Sequence, residues 1–236
     1  MYSTRVRRLE DDMMFDQSTR TAAEPLRRSP KDWASLAVIA GSLGIACYFG
    51  SVVFKPFPWT VGRFLFFAIG PLSAASAIGL YKALEATSSR IPLLVGCVFS
   101  VISGAIVNVM AVVQDMQFTY FGQLIRSAPD ATVRESLEQI LWGVNVVQSG
   151  LDVSWDIFLS IGTILIAIAI IPHPSFGKIF GGLGLLAAVG ALTLNLFAYP
   201  TAPAESGLID LGPAVGAWYV TVLVRLFVIR NRLEVL

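Results

Sequence analysis

Charged residues are scarce in this chain of 236 residues, which has 14% Asp, Glu, Lys and Arg against 55% hydrophobic residues. Soluble domains carry about 25% charged residues. Together with a mean hydropathy of +0.70, this composition indicates a membrane protein whose main partner is the lipid bilayer. The formal net charge is only +1. Such a chain has no global field of the kind that attracts nucleic acid, so we expect no nucleic-acid partner.

Cysteine and histidine are also rare: the chain has Cys47, Cys97 and a single histidine, His173. Both cysteines lie in long apolar runs, where a thiol behaves as a small apolar side chain, and they form no CxxC motif. One histidine cannot supply the paired axial ligands of a membrane cytochrome, and the sequence has no thiolate cluster for zinc. We therefore expect no metal and no cofactor.

The common catalytic motifs are absent as well. The sequence has no GxSxG elbow, no glycine-rich P-loop and no second histidine to activate a nucleophile, so neither a serine triad nor NTP turnover is supported. An intramembrane enzyme that uses a carboxylate pair, Asp152 and Asp156, is a distant third hypothesis. We predict no catalytic residue.

Long apolar runs are what the chain does have. A helix crosses the hydrocarbon core of a bilayer, about 30 Å, with about 20 apolar residues. Six segments meet this requirement, which predicts an all-α bundle of six transmembrane helices. They span about 33–54, 61–84, 91–113, 141–171, 176–198 and 211–229.

Two segments lie outside these spans. Residues 1–32 mix seven basic with six acidic residues and show no sustained helical stripe, which predicts a charged, mostly disordered tail ahead of a transmembrane domain at 33–236. The connection 114–140 has the capping-box spacing of Thr132 and Glu135 followed by apolar residues at helical intervals. It predicts an amphipathic helix that either lies on the outer surface or runs straight into the fourth span.

The distribution of Lys and Arg predicts the orientation of the bundle. If the amino terminus is inside, 13 of the 17 Lys and Arg residues fall on that side. Because short cytoplasmic loops are enriched in these residues, we expect both termini to be cytoplasmic.

Polar side chains gather on the fourth span. Asn145, Gln148, Ser149, Asp152 and Asp156 are spaced 3, 1, 3 and 4 residues apart, which places them on one face of a helix. Asn108, Asn195 and Arg63 are expected at a similar depth near the outer face. The pattern therefore predicts a polar, hydrated pocket that opens outward, with Arg63 as the counter-ion of Asp156.

A resemblance covers roughly the last third to half of the chain, from Leu151 to Tyr219. It rests on Asp152, Ser154, Trp155, Asp156, Ile157, Phe158, His173, Pro174, Phe176, Gly177, Asn195, Pro200, Thr201, Pro203, Gly207, Asp210, Gly212, Pro213 and Trp218. These residues resemble a widespread family of uncharacterised bacterial six-helix membrane proteins, a domain of unknown function. The resemblance implies a single six-helix domain in a bacterial inner membrane, and it implies no activity.

Two functions remain open from the sequence. In one, the protein binds or transports a small polar or cationic molecule in the outer pocket, with Asp156 as the charge anchor and Asn108, Asn145 and Asn195 as orienting groups. In the other, it is an accessory or assembly subunit of a larger membrane complex, with no chemistry of its own, whose polar stripe contacts a membrane-protein partner and whose tail docks a cytoplasmic one. The sequence also leaves open a homo-oligomer.

Overall fold

The computed structural model describes residues 29–53 and 58–233, and the regular structure in these residues is entirely helical. Six of the helices are long and apolar enough to cross a membrane. This confirms the predicted number of spans and indicates a multi-pass integral membrane protein. The six are α1 (Pro30–Tyr48), α2 (Trp59–Leu84), α3 (Arg90–Met116), α4 (Ala131–Ile170), α5 (Gly177–Ala198) and α6 (Gly212–Ile229).

The start of α1 is set by a capping box. The Ser29 hydroxyl accepts a hydrogen bond from the Asp32 N–H at 3.3 Å, and the Asp32 carboxylate accepts one from the Ser29 N–H at 3.2 Å. Pro30 follows in the first turn, where its missing N–H removes no helical hydrogen bond. The helix therefore begins three residues before the predicted span, and residues 1–28 of the predicted tail lie outside the described residues.

The segment between α3 and α4 is helical over most of its length. After α3, a π-helical turn (Gln117–Phe121) leads into a short helix (Gly122–Arg126). The Asp130 carboxylate then caps α4 by accepting a hydrogen bond from the Val133 N–H at 2.9 Å. Of the two predicted alternatives, the amphipathic helix runs straight into the fourth span, and the cap is Asp130 rather than Thr132. With 40 residues, α4 is about 60 Å long.

The six helices form an antiparallel ring. Each helix packs on the next along the chain, and α6 closes the ring by packing on α5 and α1. Ser29 and the turns 85–89 and 171–176 therefore lie at one end, here the terminal end. The connections 117–130 and 199–211 lie at the other, here the distal end.

Close helix contacts occur where glycines face each other. A Cβ on Gly70 of α2 would overlap the carbonyl oxygen of Gly104 on α3, and a Cβ on Gly104 would lie 2.8 Å from the Gly70 oxygen. Gly96 and Gly162 bring α3 and α4 together in the same way. Since apolar side chains gain little by leaving lipid, such close backbone contact is a main source of packing energy between membrane helices.

The turn between α4 and α5 contains the single histidine, His173, which is 1% exposed. Its Nδ1 accepts a hydrogen bond from the Ser175 N–H at 3.0 Å. Its Nε2 is buried and has no hydrogen-bond partner among the described residues. Burial lowers the pKa of His173 below its usual value, so the folded protein holds this imidazole neutral.

We expect His173 to lower the free energy of unfolding as the pH falls through the ordinary histidine pKa of 6.5, when the native protein is compared with a variant that lacks the imidazole. Below that pH the unfolded chain binds a proton that the folded chain resists, so the folded state loses at most about 1.4 kcal/mol per pH unit until its own lower pKa is reached. Above it, both states are neutral and the effect vanishes. Unfolding in mixed micelles at pH 7.5, 6.5 and 5.5 measures the slope.

The matched variant for this measurement is His173→Asn, in which the side-chain Oδ1 lies at the position of Nδ1 and can accept the Ser175 N–H without titrating. Relative to this variant, the native protein should lose stability between pH 6.5 and 5.5. A stability difference between the two proteins that does not change with pH would contradict the assignment to His173.

Candidate functional site

The residues of the predicted polar stripe on α4 differ in their exposure to solvent. Asn145 and Ser149 are exposed, and the Ser149 hydroxyl donates to the Asn145 carbonyl oxygen at 3.0 Å. Gln148, Asp152 and Asp156 are half-buried. Only the part of the stripe nearer the middle of the helix therefore packs against the rest of the bundle.

Asp152 and Asp156 lie one helical turn apart where α4 faces the distal half of α5. The side-chain amide of Asn195, on α5, lies close to the Asp156 carboxyl. Counted from the end of α4 at Ile170, Asp156 lies about 21 Å and Asp152 about 27 Å along the helix. A hydrocarbon core about 30 Å thick that began at Ile170 would therefore end close to Asp152.

The loop 199–211 adds two further carboxylates to this place. Glu205 and Asp210 are exposed, and the negative charges of both act on the Asp152 carboxyl. Asp156 feels the charges of Asp152 and Asp210. We call the five residues Asp152, Asp156, Asn195, Glu205 and Asp210 the acidic corner.

Internal hydrogen bonds fix the shape of the loop. The Leu208 N–H donates to the Pro203 carbonyl at 2.8 Å, and the hydroxyls of Thr201 and Ser206 are hydrogen-bonded to each other. Asp210 Oδ1 accepts a hydrogen bond from the Gly212 N–H, the first of α6, at 2.8 Å. This hydrogen bond ties Asp210 to the first residue of α6, and the loop holds its acids beside α4.

No ion pair joins a base to any carboxylate of the acidic corner in the part of the chain that the structure describes. Like charges in adjacent turns repel one another, and charged groups at this depth are expensive without a partner. The acids of the acidic corner therefore have no basic partner among the described residues.

Asn195 is 3% exposed, and its side chain is only partly satisfied. Its Nδ2 donates to the Ala191 carbonyl at 3.0 Å. Its Oδ1 is buried and accepts no hydrogen bond from any described residue. A buried acceptor without a donor is uncommon and costs free energy.

Arg63 has a different partner from the predicted one. Its Nε donates to Asp115 Oδ1 at 2.9 Å, which ties the distal end of α2 to the distal end of α3. Asp115 is 8% exposed. It lies 52 residues along the chain from Arg63, so no local sequence pattern predicts that the two side chains form an ion pair. The prediction that Arg63 is the counter-ion of Asp156 is corrected accordingly.

Asn108 also lies elsewhere in the bundle. Its Cβ is close to Gly70, which places it at the contact between α2 and α3, and its Oδ1 is buried without a hydrogen-bond partner among the described residues. The tertiary structure therefore separates the predicted pocket into a pair of sites. Asp152, Asp156 and Asn195 lie at α4 and α5, whereas Arg63 and Asn108 lie at α2 and α3.

Two further features of the structure, its possible metal ligands and its concavities, bear on the site. Within residues 29–53 and 58–233, no three Asp, Glu, His or Cys side chains are grouped so that they could hold a metal ion. An open concavity of about 550 Å³ lies at residues 128–138, where α4 begins, and not at the acidic corner.

No protein-family model, curated protein or solved structure matches this chain. The predicted resemblance to a family of bacterial six-helix membrane proteins therefore stays a prediction. The function proposed below is based on the residues of the acidic corner.

Proposed function

We propose that this protein binds, and by binding can transport, a small cationic molecule in the acidic corner. The observation that carries the proposal is that Asp152 and Asp156 on α4 lie within range of the charge of Asp210 on the loop 199–211, with no basic partner among the described residues. A bound cation offsets their mutual repulsion.

The proposal includes the side of the membrane from which the ligand arrives. The 13 Lys and Arg residues assigned to the inside support a cytoplasmic terminal end. The acidic corner then opens to the outer face. The resemblance noted above supports a bacterial inner membrane as the location.

The test is stabilisation by cations, measured as the unfolding temperature in detergent micelles. The probes are Na⁺, Ca²⁺, ethanolamine and choline, compared at matched ionic strength. A ligand present at 100 times its Kd stabilises the folded state by about 2.7 kcal/mol. We expect at least one probe to raise the unfolding temperature of the native protein, and Asp156→Asn to abolish that rise.

Glu138→Gln is the matched control. Glu138 is an exposed acid on the same helix, about 27 Å before Asp156. It should leave the response to cations intact, because it removes the same charge outside the acidic corner. The proposal fails if none of the four probes stabilises the native protein, or if the rise survives Asp156→Asn.

One observation favours the alternative, an accessory or assembly subunit. The first half of α4 extends past the distal ends of the shorter helices, and it exposes Trp142 by 71%, Val146 by 54% and Val147 by 63%. Large exposed apolar surface beyond the lipid is a feature of sites that bind another protein.

Native mass spectrometry on gently extracted protein separates the two candidates. A small-molecule adduct on a monomer or homo-oligomer supports the acidic corner as a binding site. A second polypeptide in fixed stoichiometry supports the subunit.

A further inference from the structure

We infer that the terminal ends of α5 and α6 bind the headgroup of an anionic phospholipid from the surrounding membrane. The surface consists of three exposed basic residues, Lys178 at the start of α5 and Arg225 and Arg232 at the end of α6 and just beyond it. We call these three residues the basic patch. It lies at the opposite end of the bundle from the acidic corner, so the two surfaces are tested independently.

Arg225 lies on the outside of a helix that is apolar enough to cross a membrane. Val224 and Val228, both next to Arg225 on the helix surface, are each 59% exposed. In a membrane, the solvent for this face of α6 is lipid. A charged side chain in that position is costly unless it reaches the interface or pairs with an opposite charge.

A hydrogen bond sets the level of the Arg225 guanidinium. Its Nε donates to the Ser175 carbonyl oxygen at 2.8 Å, in the turn 171–176 at the terminal end. Along α6, Arg225 lies about 6 Å before the last residue, Ile229. Because the apolar parts of α4, α5 and α6 all end at this level, the guanidinium lies where the hydrocarbon core meets the lipid headgroups.

The basic patch has no acidic partner among the described residues. The two acids that the structure describes at the terminal end are engaged elsewhere. The Asp32 carboxylate caps α1, and Glu85 forms an ion pair with Lys82 at 3.1 Å. A guanidinium has five N–H donors, and within the described part of the chain only Nε of Arg225 has an acceptor. The partner that these charges need must therefore come from outside the described residues.

A lipid phosphate meets that need at this depth. Its oxygens accept the paired N–H groups of an arginine in a bidentate arrangement. Arg232 follows Arg225 by about two helical turns, on the same side of the helix, and Lys178 is three residues after Ser175. A patch with three positive charges favours headgroups with a net negative charge over zwitterionic ones, which carry their own ammonium.

The neighbouring apolar surface favours a lipid over a free phosphate ion. On α5, Ile179 and Leu183 are exposed one and five residues after Lys178. On α6, Val224 and Val228 flank Arg225. These side chains offer contact to acyl chains directly below the headgroup, which a free ion does not have.

The test compares phosphatidylglycerol with phosphatidylcholine of the same acyl chains, each titrated into detergent micelles of the full chain at constant ionic strength. The readout is the lipid concentration that gives half of the maximal rise in unfolding temperature. We expect phosphatidylglycerol to act at a concentration about fivefold or more below that of phosphatidylcholine. Arg225→Gln should raise the phosphatidylglycerol concentration about fivefold, the contribution of one basic residue near an anionic membrane surface.

Arg90→Gln is the matched control. Arg90 is an exposed arginine at the same end of the bundle, but it begins α3, which does not contact α6. It should leave the phosphatidylglycerol titration unchanged. Arg225→Gln also loses the hydrogen bond to Ser175, so Lys178→Gln and Arg232→Gln repeat the test at exposed residues that form no hydrogen bond to a described residue. Each should weaken the response to phosphatidylglycerol in the same direction.

Three results overturn the inference. If both lipids act at equal concentrations, the basic patch does not select an anionic headgroup. If Arg90→Gln weakens the response as much as the three variants of the basic patch, net charge and not this surface attracts the lipid. If inorganic phosphate stabilises the protein as well as phosphatidylglycerol does, when compared with chloride at matched ionic strength, the ligand is a free anion.

Discussion

Replacing Gly70 by alanine should destabilise the protein by about 3 kcal/mol, near the upper end of what overpacking costs. The added Cβ would overlap the Gly104 carbonyl oxygen and would lie 2.9 Å from the Cβ of Asn108. Both obstacles belong to α3 and the first is backbone, which cannot move away as a flexible side chain can. The two helices must therefore separate along the contact.

Gly62→Ala is the control on the same helix. A Cβ on Gly62 meets no atom within 4 Å, and alanine favours a helix over glycine by up to about 1 kcal/mol. We expect this variant to be neutral or slightly more stable in equilibrium unfolding from micelles. Equal stabilities for the two variants would show that α2 and α3 do not approach at Gly70.

Truncating Trp218 to alanine should cost about 3–5 kcal/mol, the range for a large buried aromatic side chain. Trp218 is 6% exposed, and its indole N–H donates to the Phe180 carbonyl at 3.0 Å. The ring lies over Gly184 so closely that a Cβ there would be 2.6 Å from the indole nitrogen. Trp218 therefore fastens α6 to α5 and helps to close the ring of helices.

Two further variants separate the contributions of Trp218. Trp218→Phe keeps much of the ring and loses the hydrogen bond, so its loss should be about 1–2 kcal/mol, smaller than that of Trp218→Ala. Trp142→Ala removes a tryptophan that is 71% exposed and should change stability by less than about 1 kcal/mol. If Trp142→Ala were as damaging as Trp218→Ala, the burial assigned to Trp218 would be in error.

The number of helices could be read from the sequence because the bilayer sets a length requirement that each segment meets or fails alone. The ends of the helices were harder to predict from the sequence. Ser29 and Asp32 cap α1, which begins three residues before the apolar run. The polar start of α4 is continuous with its membrane span. Hydropathy detects lipid contact, whereas hydrogen bonding continues a helix into water.

The candidate site could be predicted only in part. Helical spacing put Asp152 and Asp156 on one face, and the two acids in a loop without a base were a visible signal for Glu205 and Asp210. Nothing local linked Arg63 to Asp115 or Asn195 to Asp156. Those contacts join residues on different helices, and sequence spacing carries no information about which faces meet.

The sequence by itself determined that six apolar helices form and that α4 has a polar stripe, because chain length and a period of 3.6 residues are properties of single segments. Only the tertiary structure decided which side chains from different helices lie next to one another. It turned Asp156 toward Asn195 and left Arg63 with Asp115. The physical reason is that glycine contacts such as Gly70 with Gly104 fix how each helix is rotated and how closely it approaches its neighbour. That rotation decides which polar groups meet.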